Sequence, residues 1–131
     1  METGTVRRAA AIHVLEHLYR WEAEATLREW IRILEPGGQL IIEVPCMDKV
    51  FDYIRQAMGQ NGVMKMQMVW WALWGDPRYE EPSMVHRWGY STHELTAMMT
   101  GCGLEQVTVE PPRYHRKDRD MRVTGRKGMS I

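Results

Sequence analysis

The chain has 131 residues, and 17 lysines and arginines balance 17 aspartates and glutamates, so its formal net charge is zero. This length suits one compact domain over residues 1–131, and the balanced charge gives no reason to expect nucleic acid or a membrane as partner. Two well-separated cysteines, Cys46 and Cys102, and the lack of an apolar run as long as a membrane helix predict a cytoplasmic protein.

The first half of the chain predicts two strands and two helices. A short strand is expected over residues 6–13, and a helix over residues 21–34, whose apolar residues recur at i, i+3, i+4 and i+7. The Pro-Gly-Gly at residues 36–38 is expected to end that helix. The apolar run 39–44 predicts the second strand, and Asp48 is predicted to cap the second helix. The apolar face of this second helix is expected to comprise Val50, Phe51, Ile54 and Met58.

The second half predicts helical structure, a long loop and two strands. Residues 63–74 are amphipathic but irregular and are expected to be helical, whereas residues 75–90 contain two prolines and two glycines and predict a loop. The Ser-Thr-His-Glu at residues 91–94 has the form of a reciprocal capping box at the start of a helix. Strands are expected over residues 104–109 and 121–126.

This order of elements predicts an α/β fold with a mixed sheet. The first two strands are expected to be parallel neighbours and the last two to be antiparallel neighbours. Regular alternation in the third strand would place Leu104 and Val107 on opposite faces of the sheet.

The segment from His13 to His17 reads HVLEH. H-x-x-E-H is a pattern of certain zinc peptidases, in which two histidines bind the metal and the glutamate activates water. That chemistry needs both histidines on one helix face, whereas here they fall where a strand gives way to a helix. Because the sequence marks no third ligand downstream, it predicts no metal site. Glu16 and His17 could instead simply cap and pack the junction.

Two segments in this order resemble a known family. AIHVLEHL followed by a helix and then by RILEPGGQLIIEVP resembles the second half of class I S-adenosylmethionine-dependent methyltransferases. The later stretches HRWGYSTHEL and GCGLEQV are also similar to that family, so the resemblance covers about residues 6–127. It implies half of a Rossmann-like methyltransferase fold, with helices on both faces of a mixed sheet and an antiparallel pair of strands at the C-terminal end.

The resemblance also implies a site, because ligands of open α/β sheets bind beyond the carboxyl ends of the strands. Glu16, His17, His86 and Tyr90 are the candidate catalytic residues, and His13 and Glu16 are the candidate contacts to S-adenosylmethionine. One branch of the family, the quinone-pathway O-methyltransferases, holds a divalent metal with acids and a Glu-His pair at this place. In this chain His13 stands where that cluster has its upstream acid.

The chain also departs from the family pattern. The family has a glycine-rich loop after its first strand and an acidic residue after its second strand, which hold the cofactor. No G-x-G precedes His13, and the one at residues 101–103 lies between a late helix and a strand. The chain alone is therefore expected to bind S-adenosylmethionine weakly or not at all.

Two functions follow from these features. The first is a truncated or partial methyltransferase that acts on a small molecule or glycan precursor. The alternative is a non-catalytic methyltransferase remnant that serves as a binding or oligomerisation module. The strand at residues 6–13 would lack a neighbour on one side, and open edges pair with other chains. With the Met- and Trp-rich residues 63–74, this edge predicts a homodimer or a complementing chain as partner.

Overall fold

The computed structural model describes residues 1–59 and 62–129. Its strands and helices are β1 (Val6–Ile12), α1 (Arg20–Ile33), β2 (Leu34–Pro45), α2 (Met47–Met58), α3 (Trp70–Trp74), α4 (Thr92–Gly101), β3 (Leu104–Glu110) and β4 (Asp120–Lys127). Two short 3₁₀ turns, Leu15–His17 and Pro82–Met84, lie in the connections. No helix within these described ranges is both long and apolar enough to cross a membrane.

The strands form one mixed sheet in the order β1-β2-β4-β3. β1 is parallel to β2, with Ala10 opposite Ile41, and β4 runs antiparallel to both β2 and β3. The prediction of an α/β fold with a parallel first pair and an antiparallel last pair is therefore confirmed. The core is formed by apolar residues of the sheet, α1 and α4, which include Leu27, Leu40, Ile42 and Leu95.

The first helix ends earlier than the Pro-Gly-Gly segment suggested. α1 stops at Ile33, and Leu34 is already extended, with φ −70° and ψ 142°. The residue before a proline disfavours the helical region, so Pro36 ends the helix upstream of itself. Residues 34–38 become the first part of β2, and the pairing with β1 shifts register there, between Val6 and Arg8.

Gly38 is needed for this close pairing. A Cβ at Gly38 would lie 2.8 Å from the carbonyl oxygen of Glu35 and 3.1 Å from the carbonyl oxygens of Val6 and Arg7. Backbone atoms cannot rotate away as a side chain can, so Gly38→Ala is expected to lower the free energy of unfolding by about 1–3 kcal/mol. Urea unfolding followed by circular dichroism measures this loss.

Gly101→Ala is the matched control for Gly38. A Cβ at Gly101 meets nothing within 4 Å, and the residue ends α4. Alanine should therefore leave stability unchanged or raise it by about 0.4–1 kcal/mol. Equal stabilities of the two variants would show that the approach of the two strands is not tight at Gly38.

α2 differs from its predicted form at both its cap and its apolar face. The carboxylate of Asp48 accepts a hydrogen bond from the backbone N–H of Thr92 at 2.8 Å, and that bond lowers the pKa of Asp48. Asp48 therefore caps α4, while no side chain of the described residues caps α2. Val50 is buried, but Phe51 and Met58 are 59% and 68% exposed, so the predicted common face is wrong. Tertiary contact with α4 decides the role of Asp48.

In the second half of the chain, the segment 63–74 and β3 are less regular than the sequence pattern predicted. Only Trp70–Trp74 of the segment 63–74 is α-helical. In β3, Gln106 has a positive φ of 53° and the register to β4 shifts beside it. This bulge turns both Leu104 and Val107 toward the same core, so their predicted placement on opposite faces is wrong.

The predicted capping box at α4 is half formed. Ser91 Oγ accepts from the backbone N–H of Glu94 at 3.0 Å, as expected. The carboxylate of Glu94 does not return to the helix start but accepts from Arg20 Nε at 3.1 Å and from Trp88 Nε1 at 2.9 Å. Glu94 therefore connects α4 to α1 and to the long loop.

Candidate active site

The carboxyl ends of β1 and β2 lie at the same edge of the sheet because the two strands are parallel. A pocket of about 420 Å³ opens at this edge, and its lining includes His13, His17, His86, His115 and Trp71. This is the place where open α/β sheets bind their ligands. The topology therefore brings four histidines from three separate parts of the chain to one ligand-sized pocket.

His13 turns the chain at the end of β1. Its φ is 55°, which is uncommon for a residue other than glycine, and its backbone N–H donates to the carbonyl oxygen of Glu43 at 2.8 Å. The ring Nδ1 donates to Glu16 Oε2 at 2.9 Å, and the Nε2 lies 3.6 Å from Asp120 Oδ2. This conformation aims the imidazole into the pocket and orients the Glu16 carboxylate.

Glu16 and His17 lie in the first 3₁₀ turn, Leu15–His17, and α1 begins only at Arg20. The H-x-x-E-H segment is therefore not an α-helix, which removes the i, i+4 geometry of the zinc peptidases. Glu16 is 1% exposed, and its Oε1 has no hydrogen-bond partner among the described residues. The same holds for Nδ1 of His17. Two polar atoms of this turn are thus buried without a partner.

His86 reaches the pocket from the long loop. Its Nδ1 donates to the carbonyl oxygen of Ala72 at 2.9 Å, and its ring meets that of His17 edge-on with 4.7 Å between centroids. Burial lowers the pKa of His86 below its usual value, which favours the neutral ring. The proton on Nδ1 leaves Nε2 as a lone-pair acceptor, so His86 can accept a proton or bind an electrophile.

Arg87 fastens this loop to the 3₁₀ turn and was not singled out from the sequence. Its backbone N–H donates to the carbonyl oxygen of Glu16 at 2.7 Å, and its guanidinium donates to the carbonyl oxygen of Pro82 at 2.7 Å. The guanidinium also lies 4.7 Å from the centre of the Tyr19 ring. These contacts hold His86 beside His17.

Tyr90 is the one candidate that the fold keeps away from the pocket. It is 0% exposed, belongs to the core and forms an isolated parallel bridge with Cys46. Burial raises the pKa of Tyr90 to about 12, and its hydroxyl has no partner within residues 1–59 and 62–129. His13, Glu16, His17 and His86 come together, whereas Tyr90 packs behind them.

The sequence reasoning also missed His115 and the charges beneath it. The His115 ring contacts that of His13 at a tilt of 44°, with 3.8 Å between centroids, and burial lowers the pKa of His115. Below it, Arg122 Nη1 donates to Glu43 Oε2 at 2.8 Å, and both side chains are buried. The signal that could have indicated this pair is Glu43 itself, a charged residue inside the apolar strand QLIIEVP.

The sequence matches no protein-family model and no curated protein. Its fold, however, is similar to many solved structures. A methyltransferase from Thermotoga maritima, a possible histamine N-methyltransferase, superposes with a TM-score of 0.62 at 15% identity over 97% of this chain and 58% of that one. A Methanosarcina mazei S-adenosylmethionine-dependent methyltransferase gives a TM-score of 0.62 at 15% identity over 98% and 62%.

A third match includes bound ligands. The 1,6-didemethyltoxoflavin-N1-methyltransferase of Burkholderia thailandensis, with 1,6-didemethyltoxoflavin and S-adenosylhomocysteine bound, gives a TM-score of 0.61 at 14% identity over 98% of this chain and 46% of that one. The chain thus spans less than two thirds of the length of each of these three enzymes. At these identities the likeness establishes the fold alone, and that fold is part of the S-adenosylmethionine-dependent methyltransferase fold.

Proposed function

We propose that the chain is a partial S-adenosylmethionine-dependent methyltransferase that acts on a small molecule or glycan precursor. The observation that carries the proposal is the histidine-lined pocket at the carboxyl ends of β1 and β2, in a fold shared with such enzymes. His86 would accept a proton from the methyl acceptor, and Glu16 and His17 would position the reacting groups. His13 and Glu16 would lie nearest to the cofactor.

The proposal predicts weak cofactor binding that maps to the pocket. Without a glycine-rich loop, the dissociation constant for S-adenosylhomocysteine should exceed about 100 µM, which is about −5.5 kcal/mol. A titration followed through the indole N–H signals in nuclear magnetic resonance should shift Trp71, which lines the pocket. The signal of Trp21, which is 78% exposed on α1, is the internal control and should not move.

Other outcomes of this titration are equally informative. The absence of any saturable shift at millimolar S-adenosylhomocysteine would contradict the proposal. Low-micromolar binding would leave the function standing, but it would overturn the argument from the missing loop. The segment 86–90 and the turn with Glu16 would then be the first places to look for a different cofactor cradle.

One observation favours the alternative of a non-catalytic oligomerisation module. β1 is an edge strand of the described sheet, and Arg7, Arg8 and Ala10 on it are exposed. On the other candidate surface, Trp70 and Trp74 are also exposed. An open strand edge and exposed apolar side chains both promote association.

Light scattering at micromolar concentration is therefore expected to give the mass of a homodimer. Ala10→Arg should produce monomers if β1 forms the interface, and Trp74→Ser should do so if the α3 surface does. Trp21→Ser changes an exposed tryptophan outside both surfaces and should leave the mass unchanged. A wild-type monomer at tens of micromolar would exclude the dimer.

A further inference from the structure

Three side chains in register on one face of the sheet form a basic row. Arg8 of β1 lies opposite Gln39 of β2, and Gln39 lies opposite Arg126 of β4. Residues in register on neighbouring strands point to the same face, so two guanidinium groups flank one amide. We propose that Arg8, Gln39 and Arg126 form a binding site for a phosphate group. This inference does not depend on the proposed methyltransferase function.

The basic row lies at the opposite end of the strands from the candidate active site. Five residues at about 3.3 Å each separate Arg8 from His13, which is about 16 Å along β1. The row lies in a surface depression of about 410 Å³, whose lining also includes Arg7 and Gly37. The depression shares no lining residue with the histidine-lined pocket, so the two sites are separate.

Arg8 and Arg126 carry charges that no neighbouring acid neutralises. Neither makes an ion pair within residues 1–59 and 62–129, and no aspartate or glutamate of those ranges lines the depression. Glu105 lies opposite Arg126 on β3, but its Oε1 lies beside Gly128. The chain has zero formal net charge, so this row is a local excess of positive charge. Like charges on one surface repel each other, and a bound anion removes that repulsion.

The hydrogen-bond donors of the row are available and partly oriented. Arg126 Nη1 donates to the carbonyl oxygen of Gly37 at 3.1 Å, which leaves the edge formed by Nε and Nη2 free. The side chains of Arg8 and Gln39 make no hydrogen bond to another residue in the described part of the chain. Neighbouring strands lie about 4.8 Å apart, so the Cα atoms of Arg8 and Arg126 are about 9–10 Å apart. Since side chains stand roughly perpendicular to a sheet, the space above Gln39 fits one anion between two guanidinium groups.

The arrangement of the donors favours phosphate over a carboxylate. A guanidinium group can bind either anion through two parallel hydrogen bonds. Here the donors come from three directions, with Arg8 and Arg126 on two sides and the Gln39 amide beneath. A tetrahedral phosphate presents oxygens in several directions, whereas a carboxylate has two oxygens in one plane. A phosphate dianion also matches the two positive charges. Inorganic phosphate and a phosphate monoester share this chemistry.

The test is a nuclear magnetic resonance titration of the full chain with sodium phosphate, at mildly alkaline pH and constant ionic strength. The side-chain amide signals of Gln39 should shift and saturate in the low-millimolar range, whereas sodium acetate should produce a much weaker shift. The indole signal of Trp71, which lines the histidine-lined pocket, should not move with phosphate. An equal response to methyl phosphate would show that the site accepts monoesters, and a response to inorganic phosphate alone would identify the free ion as the ligand.

Substitutions on the two strands then assign the site. Arg8→Gln and Arg126→Gln should each weaken phosphate binding by about 10-fold or more, which is about 1.4 kcal/mol. Arg8→Lys should also weaken it, because lysine keeps the charge but cannot form two parallel hydrogen bonds. Arg7→Gln is the matched control, since Arg7 is 90% exposed and lies 3.6 Å from Glu35. It should change the affinity by less than about twofold, as expected for a screened surface charge.

The titration of the wild type keeps the test valid if a variant fails to fold. The absence of a saturable shift at Gln39, or an equal response to phosphate and acetate, would overturn the proposal. So would a phosphate-dependent shift of the Trp71 indole signal without one at Gln39, because it would place the anion in the histidine-lined pocket. Equal losses in Arg7→Gln and Arg8→Gln would overturn it as well, since they would indicate a general attraction to the basic surface.

Discussion

Replacing Arg122 with leucine is expected to lower the free energy of unfolding by about 3–5 kcal/mol. Its Nη1 donates to Glu43 Oε2 at 2.8 Å, and the Glu43 and Arg122 side chains are 0% and 7% exposed. Removing the arginine leaves a carboxylate buried between β2 and β4 without its counter-charge. Urea unfolding at neutral pH, followed by circular dichroism, measures the change.

The double variant Glu43→Leu/Arg122→Leu should be less destabilised than Arg122→Leu alone, because it leaves no buried charge uncompensated. It should not recover fully, since Glu43 also accepts from the backbone N–H groups of Arg113 and Tyr114. Arg7→Leu is the matched control, because the Arg7 side chain is 90% exposed and 3.6 Å from Glu35. Such a surface pair contributes about 0–1 kcal/mol. A loss in Arg122→Leu no greater than in Arg7→Leu would show that the buried pair is not formed.

Tyr90→Ala is the second change with a large expected effect, a loss of about 3–5 kcal/mol in the free energy of unfolding. The ring is 0% exposed within the core, so alanine would leave a large cavity. Tyr90→Phe should instead be neutral or stabilising by up to about 1 kcal/mol, because the buried hydroxyl has no partner among the described residues. Thermal and urea unfolding of both variants measure the difference.

The same pair of variants separates packing from catalysis at Tyr90. If the residue is only part of the core, Tyr90→Phe should leave the shift of the Trp71 indole signal with S-adenosylhomocysteine unchanged. A loss of that shift in a fully folded Tyr90→Phe variant would show that the Tyr90 hydroxyl contributes to the binding site. A loss of several kcal/mol in Tyr90→Phe would likewise mean that the hydroxyl has a partner.

The fold class could be predicted because it depends on short-range patterns. The apolar spacing in residues 21–34 predicted α1, and the run at 39–44 predicted the C-terminal half of β2. Ser91 was correctly predicted to cap α4 because its partner lies three residues away. The Pro-Gly-Gly segment was expected to end α1, but α1 already ends at Ile33 and residues 36–38 lie within β2.

The site depended on contacts that no local pattern encodes. HVLEH by itself determined that His13, Glu16 and His17 lie together at the end of a strand. Only the tertiary structure decided that His86 joins them, because Ala72 and Glu16 hold its loop from 14 and about 70 residues away. It also placed Tyr90, four residues after His86, in the core. Because distant partners set the environment of a loop residue, two side chains of one loop can lie in different places: His86 lines the pocket, and Tyr90 packs in the core.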